Sequence, residues 1–188
     1  MNGSGGRSAE TGVILKILRE RHEDSAPVTN DRYTKRMDEL NEREWLAGVL
    51  TADIPLGGAM GLTVERLDEQ KLVLALPLEP NVNDKGTAFG GALVSVMILA
   101  GWSLPRLLLR RDGLAADLVI GRAEIRFLEP VEGSFVAVCD WPEAARRETF
   151  LDEFRARGRA RLALEPRIEY RGRVAATLSA RYAALKRE

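Results

Sequence analysis

A chain of 188 residues, 45% hydrophobic and 30% charged, can bury one sizeable core, and its formal net charge is zero. No global field points to nucleic acid or to an anionic membrane, so neither is expected as a partner. A single cysteine, Cys139, excludes an intrachain disulfide and a cysteine metal cluster.

Residues 1–10 are rich in glycine and serine and read as mobile. Residues 13–22 can form a short helix with Val13, Ile14, Ile17 and Leu18 on one face. That apolar run is too short for a signal sequence and is interrupted by Lys16, so a cytoplasmic protein is expected. The polar stretch 23–36, with Pro27, reads as a linker. Residues 38–50 make a better helix, because Leu40, Trp45, Leu46 and Val49 form an apolar stripe among Glu and Arg. Trp45 is either an anchor on the main domain or a simple packing residue. The expected organisation is an N-terminal extension over 1–44, partly flexible or in short helices, and one domain over 45–188.

From Met60 the period changes from helical to alternating. Residues 61–67 read as a strand, and 71–78 place Leu72, Leu74, Leu76 and Leu78 on one face. A polar loop, Asn81 to Lys85, turns at Gly86 and leads into an uncharged run that ends at Pro105. Thr87 is a candidate N-cap for the following helix, about 87–104. Apolar residues fall on every side of that helix, so it must be enclosed all round. The run is long enough to cross a membrane, but its four glycines, its hydroxyls and the charged strands around it favour a buried central helix. The helix region closes in Arg106-Leu-Leu-Leu-Arg-Arg111, and Asp112-Gly113 is a breaker. Residues 117–128, 134–141, 158–164, 167–170 and 174–184 then read as extended, with a charged, helical excursion over 142–157. Pro166 marks a bulge or an edge. About six strands, with no βαβ alternation and one fully apolar helix, predict an α+β fold in which an antiparallel sheet curls around that helix.

The only histidine, His22, lies in the N-terminal arm, which excludes a Ser–His–Asp, Cys–His or histidine-metal site in the main domain. No G-x-S-x-G elbow, P-loop or dinucleotide fingerprint occurs, and neither metal nor cofactor is expected. Cys139 stands in an apolar strand pattern and reads as a buried structural thiol. The loop remains. Gly90 and Gly91 each cost a helix roughly 1 kcal/mol relative to alanine, so something must come close to the backbone there, either packed sheet or a ligand. The unpaired N–H groups of a first helical turn suit a carbonyl oxygen that becomes negative during reaction. Beside them Asp84 is the candidate general base on water, and Asn83 the candidate holder of water or a substrate carbonyl. Asn81, Thr87, Phe89 and Ser95 are candidate substrate contacts in the same stretch, although Ser95 can equally bond back to its own preceding turn. Arg146, Arg147, Arg155, Arg157, Arg159 and Arg161 form a local basic concentration among Glu143, Glu148, Asp152 and Glu153. It is either a solvated, salt-bridged face or a contact for substrate phosphates, with Arg159 and Arg161 as the candidates.

These strings resemble the hotdog-fold thioesterase family named after the C-terminal domain of YiiD. The likeness runs from about Leu50 to Lys186. It is carried by Ile54-Pro-Leu ahead of Ala59-Met-Gly61, by Asn81-Val-Asn-Asp-Lys-Gly-Thr-Ala-Phe-Gly-Gly91 and by Leu99-Ala-Gly-Trp102. Ala116-Asp-Leu-Val-Ile120, Pro130-Val131 and Gly158-Arg-Ala-Arg161 follow. The resemblance implies a sheet wrapped around the helix and a homodimer or dimer of dimers, with an acyl-thioester site where subunits meet. It implies hydrolysis of acyl-CoA or acyl-carrier-protein thioesters; the alternative is a non-catalytic protein that only binds them. Two departures stand out. The family string usually has histidine where this chain has Asp84. Better-studied hotdog thioesterases carry a carboxylate about two turns into the helix, where this chain reads Val96-Met-Ile-Leu99.

Overall fold

The computed structural model describes residues 31–187. Helix α1 (Asp31–Gly48) passes into a π-helical turn (Val49–Asp53), the short helix α2 (Pro55–Ala59), strands β1 (Thr63–Leu67) and β2 (Lys71–Leu76), and a 3-10 turn (Glu79–Asn81). The central helix α3 (Gly90–Arg111) leads to β3 (Ala116–Phe127), β4 (Phe135–Asp140), helix α4 (Ala144–Arg157), β5 (Arg159–Leu164), β6 (Arg167–Tyr170) and β7 (Arg173–Lys186). The expectations for residues 1–30, including the helix over 13–22 and the place of His22, lie outside the described residues. Glu39 begins a compact unit that runs to the end of the chain.

The strands form one antiparallel sheet in the order β1-β2-β4-β6-β7-β3. β5 and β6 lie end to end along the same side of β7, so they act as one strand broken at Pro166. Proline cannot donate to the ladder, but its carbonyl still accepts from the Leu178 N–H at 2.9 Å. The break falls at Pro166, where a bulge or an edge is expected, and counting its two halves separately gives seven strands against the expected count of about six. Period-2 alternation sends Leu72, Leu74 and Leu76 of β2, Phe135, Ala137 and Cys139 of β4, and Ala176, Leu178, Ala180, Tyr182 and Ala184 of β7 into the core. The small residues of β7 let α3 lie close to the sheet. Gly101 sits under the Tyr182 ring: a Cβ there would lie 2.7 Å from Cζ and 2.8 Å from Cε2, with the phenol oxygen nearer still. The Tyr182 hydroxyl donates to the Ile98 carbonyl at 3.1 Å. By length and apolarity α3 could cross a membrane, yet most of its surface is covered within the protein, by the sheet above all.

Three expectations need correction. α1 begins at Asp31, inside the stretch read as a linker; residues 31–47 hold no proline or glycine to prevent a helix. α3 starts at Gly90 rather than 87, with Phe89 as the N-cap in extended geometry (φ −66°, ψ 131°), because the Thr87 hydroxyl is committed elsewhere. The helix also overruns the bound of about 104: it passes through Pro105 and closes at Arg111, within the stretch 106–111 where the helix region is expected to close. Proline removes one helical hydrogen bond, but buried Leu104, Leu107 and Leu109 hold the following turns in place. The stop is at Gly113 (φ 65°), whose N–H and that of Leu114 close onto the Arg110 and Leu109 carbonyls.

Trp45 is an anchor. Its ring lies 4.5 Å from the Arg110 guanidinium and 5.8 Å from that of Arg106, while Glu42 accepts two hydrogen bonds from Arg111. β3 forms one edge of the sheet, and Gly121 is an extra residue between the pairs Ile120–Tyr182 and Arg122–Arg181.

Candidate active site

The helix entry is built by two asparagines. Asn81 is 3% exposed, and its Nδ2 donates to the Met60 and Pro77 carbonyls, both at 2.8 Å. Its own carbonyl accepts the Phe89 N–H at 2.7 Å, which fixes where α3 begins. Asn83 closes the loop on itself. Its Oδ1 accepts from the Lys85 and Thr87 N–H groups, and its Nδ2 donates to Thr87 Oγ1 at 2.8 Å. Its backbone N–H bonds to the Thr87 carbonyl, and Gly86 supplies the left-handed turn (φ 78°). The Ala88 N–H then reaches the Val131 carbonyl at 2.7 Å, so the loop is tied to the segment that follows β3.

At this junction the N-terminus of α3 faces a cleft of about 320 Å³ lined by Ala88, Gly90, Leu93 and residues 127–131. The N–H groups of Gly90 and Gly91 have no hydrogen-bond acceptor among the described residues, whereas those of Ala92 and Leu93 bond to the Phe89 carbonyl. Two aromatic rings flank the glycines. A Cβ on Gly91 would lie 2.9 Å from Phe89 Cζ, and one on Gly90 would lie 3.5 Å from Phe127 Cζ. Phe89, Phe127 and Leu128 are 57%, 57% and 56% exposed, an apolar concentration that rarely stands bare without a ligand or a second chain. The arrangement offers two unsatisfied donors at the positive end of a helix dipole, with the Gly90 donor at a largely apolar cleft.

The sequence candidates distribute unevenly around this cleft. Gly90 lines it, and Gly91, Phe89 and Thr87 adjoin it. Asn81 and Asn83 spend their side chains on the loop itself, so they position the helix end rather than face a ligand. Asp84 is exposed at the loop tip and is not among the cleft's lining residues. Ser95 Oγ donates to the Gly91 carbonyl at 2.8 Å, the bond back to the preceding turn. Arg159 and Arg161 are exposed on β5 and are not brought to the cleft. Arg159 pairs with Leu185 of β7, which faces Asp117 at the start of β3, whereas the cleft lies at the end of β3. Of the other arginines, Arg155 pairs with Asp112 and Asp152, as expected of a salt-bridged face.

One carboxylate in the cleft is not evident in the sequence. Glu129 lines it, with its side chain held 3.0 Å from Arg173. Its only local signal is an acid beside Pro130 at the end of a long strand. Cys139 lies away from this chemistry. Burial, with the Asp140 charge second, pushes its thiol up to about 12, so it stays protonated.

An antiparallel sheet curled around one long, largely buried central helix is the hotdog fold. Residues 43–186 match the family described as "putative thioesterase (yiiD_Cterm)", and the chain belongs to that family. Among solved structures it is similar to a Chlorobaculum tepidum protein of unknown function, 31% identical over 77% of this chain and 94% of that one, with a TM-score of 0.73. A Shewanella oneidensis protein described as a "putative thioesterase" is 25% identical over 77% of this chain and 98% of its own, with a TM-score of 0.67. A Pseudomonas aeruginosa protein described as a "probable thioesterase" shares the fold at 24% identity and a TM-score of 0.65, covering 77% and 95% of the two chains. Family and neighbours together support thioester hydrolysis at that general level.

Proposed function

We propose that the protein hydrolyses acyl thioesters, carried on coenzyme A or on acyl-carrier protein, in the cleft at the start of α3. The observation that carries this reading is the pair of unsatisfied N–H groups at the start of α3, on Gly90, which lines the cleft, and on Gly91 beside it. The thioester carbonyl points at those N–H groups, and the acyl chain lies along Phe89, Phe127 and Leu128. Water attacks the carbonyl carbon, the oxyanion forms against the amides, and the carbon–sulfur bond then breaks. A carboxylate takes the proton of the attacking water and returns it to the departing thiolate. Glu129 is the better placed candidate because it lines the cleft; Asp84, on the loop tip, is the other.

Two copies pair along the free edge of β3. That edge is twelve residues long and carries Val119 and Ile120 exposed, which is a standing template for a second strand. A binding-only protein is the competing reading, and the engagement of Glu129 by Arg173 is the observation in its favour. Hydrolysis of a panel of acyl-CoA and acyl-carrier-protein substrates tests the choice, with Glu129→Gln and Asp84→Asn alongside. The variant that removes the base loses turnover by about 10²- to 10⁴-fold and keeps acyl-CoA binding. Tight binding with no turnover on any substrate selects the binding-only reading.

A further inference from the structure

The outer face of the sheet, away from α3, carries a charge that its neighbours do not balance. Outward positions alternate with buried Leu162 and Leu164 on β5 and with buried Ala180, Tyr182 and Ala184 on β7. Register then sets exposed Arg159 and Arg161 of β5, Arg181 of β7 and Arg122 of β3 on that one face. Arg122 and Arg181 are direct cross-strand partners, Arg161 is diagonal to Arg181, and Arg159 stands two residues along from Arg161. Like charges directly opposite on neighbouring strands destabilise a sheet. Elsewhere on the domain Arg66, Arg111, Arg155, Arg167, Arg173 and Arg187 each pair with an acid. The four outer-face arginines pair with none among the described residues. Acids border the patch rather than interrupt it. Asp117 is taken by Arg187 at 2.7 Å, and Glu124 and Glu165 lie beyond the Arg122–Ala163 end without an ion pair.

Zero net charge describes the whole chain and leaves room for a local field of this kind. The patch spans three strands, about 10 Å, and four residue steps along them, about 13 Å, so no single small anion meets all four arginines. Between the arginines the face is aliphatic: Val119 and Leu185 are 46% and 45% exposed, beside Ala163 and Ala183. No aromatic side chain stands among these positions. The face therefore offers nothing on which nucleic-acid bases stack, and none of the aromatic anchors of a protein hot spot. Guanidinium forks match phosphates, and exposed aliphatic groups beside them match the boundary between headgroups and acyl chains. We infer that this face docks the protein on an anionic phospholipid surface, with the arginines on lipid phosphates and Val119 and Leu185 between the headgroups. The repulsion between Arg122 and Arg181 is then relieved by the partner. Docking does not depend on hydrolysis and is tested without a thioester.

The full chain is sedimented with vesicles of about 30% phosphatidylglycerol in phosphatidylcholine, and with vesicles of phosphatidylcholine alone. Wild type binds the anionic vesicles at least about tenfold more tightly, and raising salt from about 0.1 to about 0.5 M releases it. Arg122→Gln/Arg181→Gln weakens that binding about 25-fold, near fivefold for each charge removed. Arg122→Lys/Arg181→Lys keeps the charge and stays within about fivefold of wild type. Arg66→Gln/Arg171→Gln, the same loss of charge at β1 and the β6–β7 turn, stays within about twofold. Removing one of the facing pair also relieves repulsion, so Arg181→Gln raises the urea midpoint by about 0.1–0.5 M. A lower midpoint assigns these arginines to the fold and overturns the inference. No binding to anionic vesicles, equal binding to both kinds, or equal loss in the two glutamine double variants overturns it as well. Binding to poly-glutamate or to duplex DNA in place of vesicles overturns the lipid assignment and gives the face to an acidic protein or a nucleic acid.

Discussion

Gly101→Ala is the sharpest test of how the helix sits in the sheet. In an exposed helix this change would stabilise by about 1 kcal/mol through propensity alone. Here the new methyl group meets the Tyr182 ring at 2.7 and 2.8 Å, and Tyr182 is fully buried, so the ring has nowhere to turn. Overpacking of that kind costs about 1–3 kcal/mol. Displacing the phenol also breaks its hydrogen bond to Ile98, worth about 1 kcal/mol. The net expectation is a loss of about 1–3 kcal/mol, which at a urea slope near 2 kcal/mol/M lowers the denaturation midpoint by about 0.5–1.5 M. Adding Tyr182→Phe removes the nearest atom, so the double variant loses less than the sum of the singles by about 0.5 kcal/mol or more. A midpoint that rises in Gly101→Ala, or strict additivity in the cycle, would refute the close approach of α3 to β7.

Other sites give equally direct expectations. Asn81→Ala leaves the Met60 and Pro77 carbonyls without their donor and frees the helix entry; urea unfolding should show a loss of about 2–3 kcal/mol, and thioester turnover should fall with it. Cys139 should resist a disulfide reagent at pH 8 in the native protein and react fully in denaturant, because burial keeps the thiol neutral. Its folded pKa is raised, so its share of stability is complete below the unfolded value and fades as pH climbs toward about 12; Cys139→Ala should flatten that alkaline limb. At Asp68 burial opposes the charge, but the Lys71 and Gln70 amides and the Arg66 guanidinium outweigh it and hold the carboxyl below its ordinary range. Its stabilisation is therefore present above the usual carboxylate pKa and lost as pH falls through the depressed one, so Asp68→Asn should shrink the acid limb of a stability–pH curve.

Much of this architecture was legible in the residues because burial and period are strong signals. Leu72, Leu74 and Leu76 alternate and are buried; Val96, Leu99, Leu104 and Leu109 fall on different sides of one helix and are buried; Asp112-Gly113 ends it. What the pattern hid depends on partners distant in the chain. Thr87 has the chemistry of a cap, but Asn83, four residues earlier, takes its hydroxyl. Pro105 ends the uncharged run, yet the helix passes through it without a break because Leu104, Leu107 and Leu109 on either side are buried. Asn81 has the composition of a ligand contact, and its partners at Met60 and Pro77 make it a brace. Glu129 carries no motif and enters the cleft only because the Ala88–Val131 hydrogen bond draws the end of β3 to the start of α3. Arg159 and Arg161 share a charge run with Arg157, but register places that run at the far end of β3.

If the free amide at the start of α3 stabilises a thioester oxyanion, as proposed, Gly90→Pro and Gly90→Ala must differ in turnover. Gly90 is the first helical residue, where proline is at home, and Phe89 already has the extended geometry that a following proline requires. Both variants add a β-carbon, but only proline removes the N–H. Both variants should keep native stability, with near wild-type turnover for alanine and a kcat about 10²- to 10³-fold lower for proline. Equal turnover in the two variants would contradict that role of the amide.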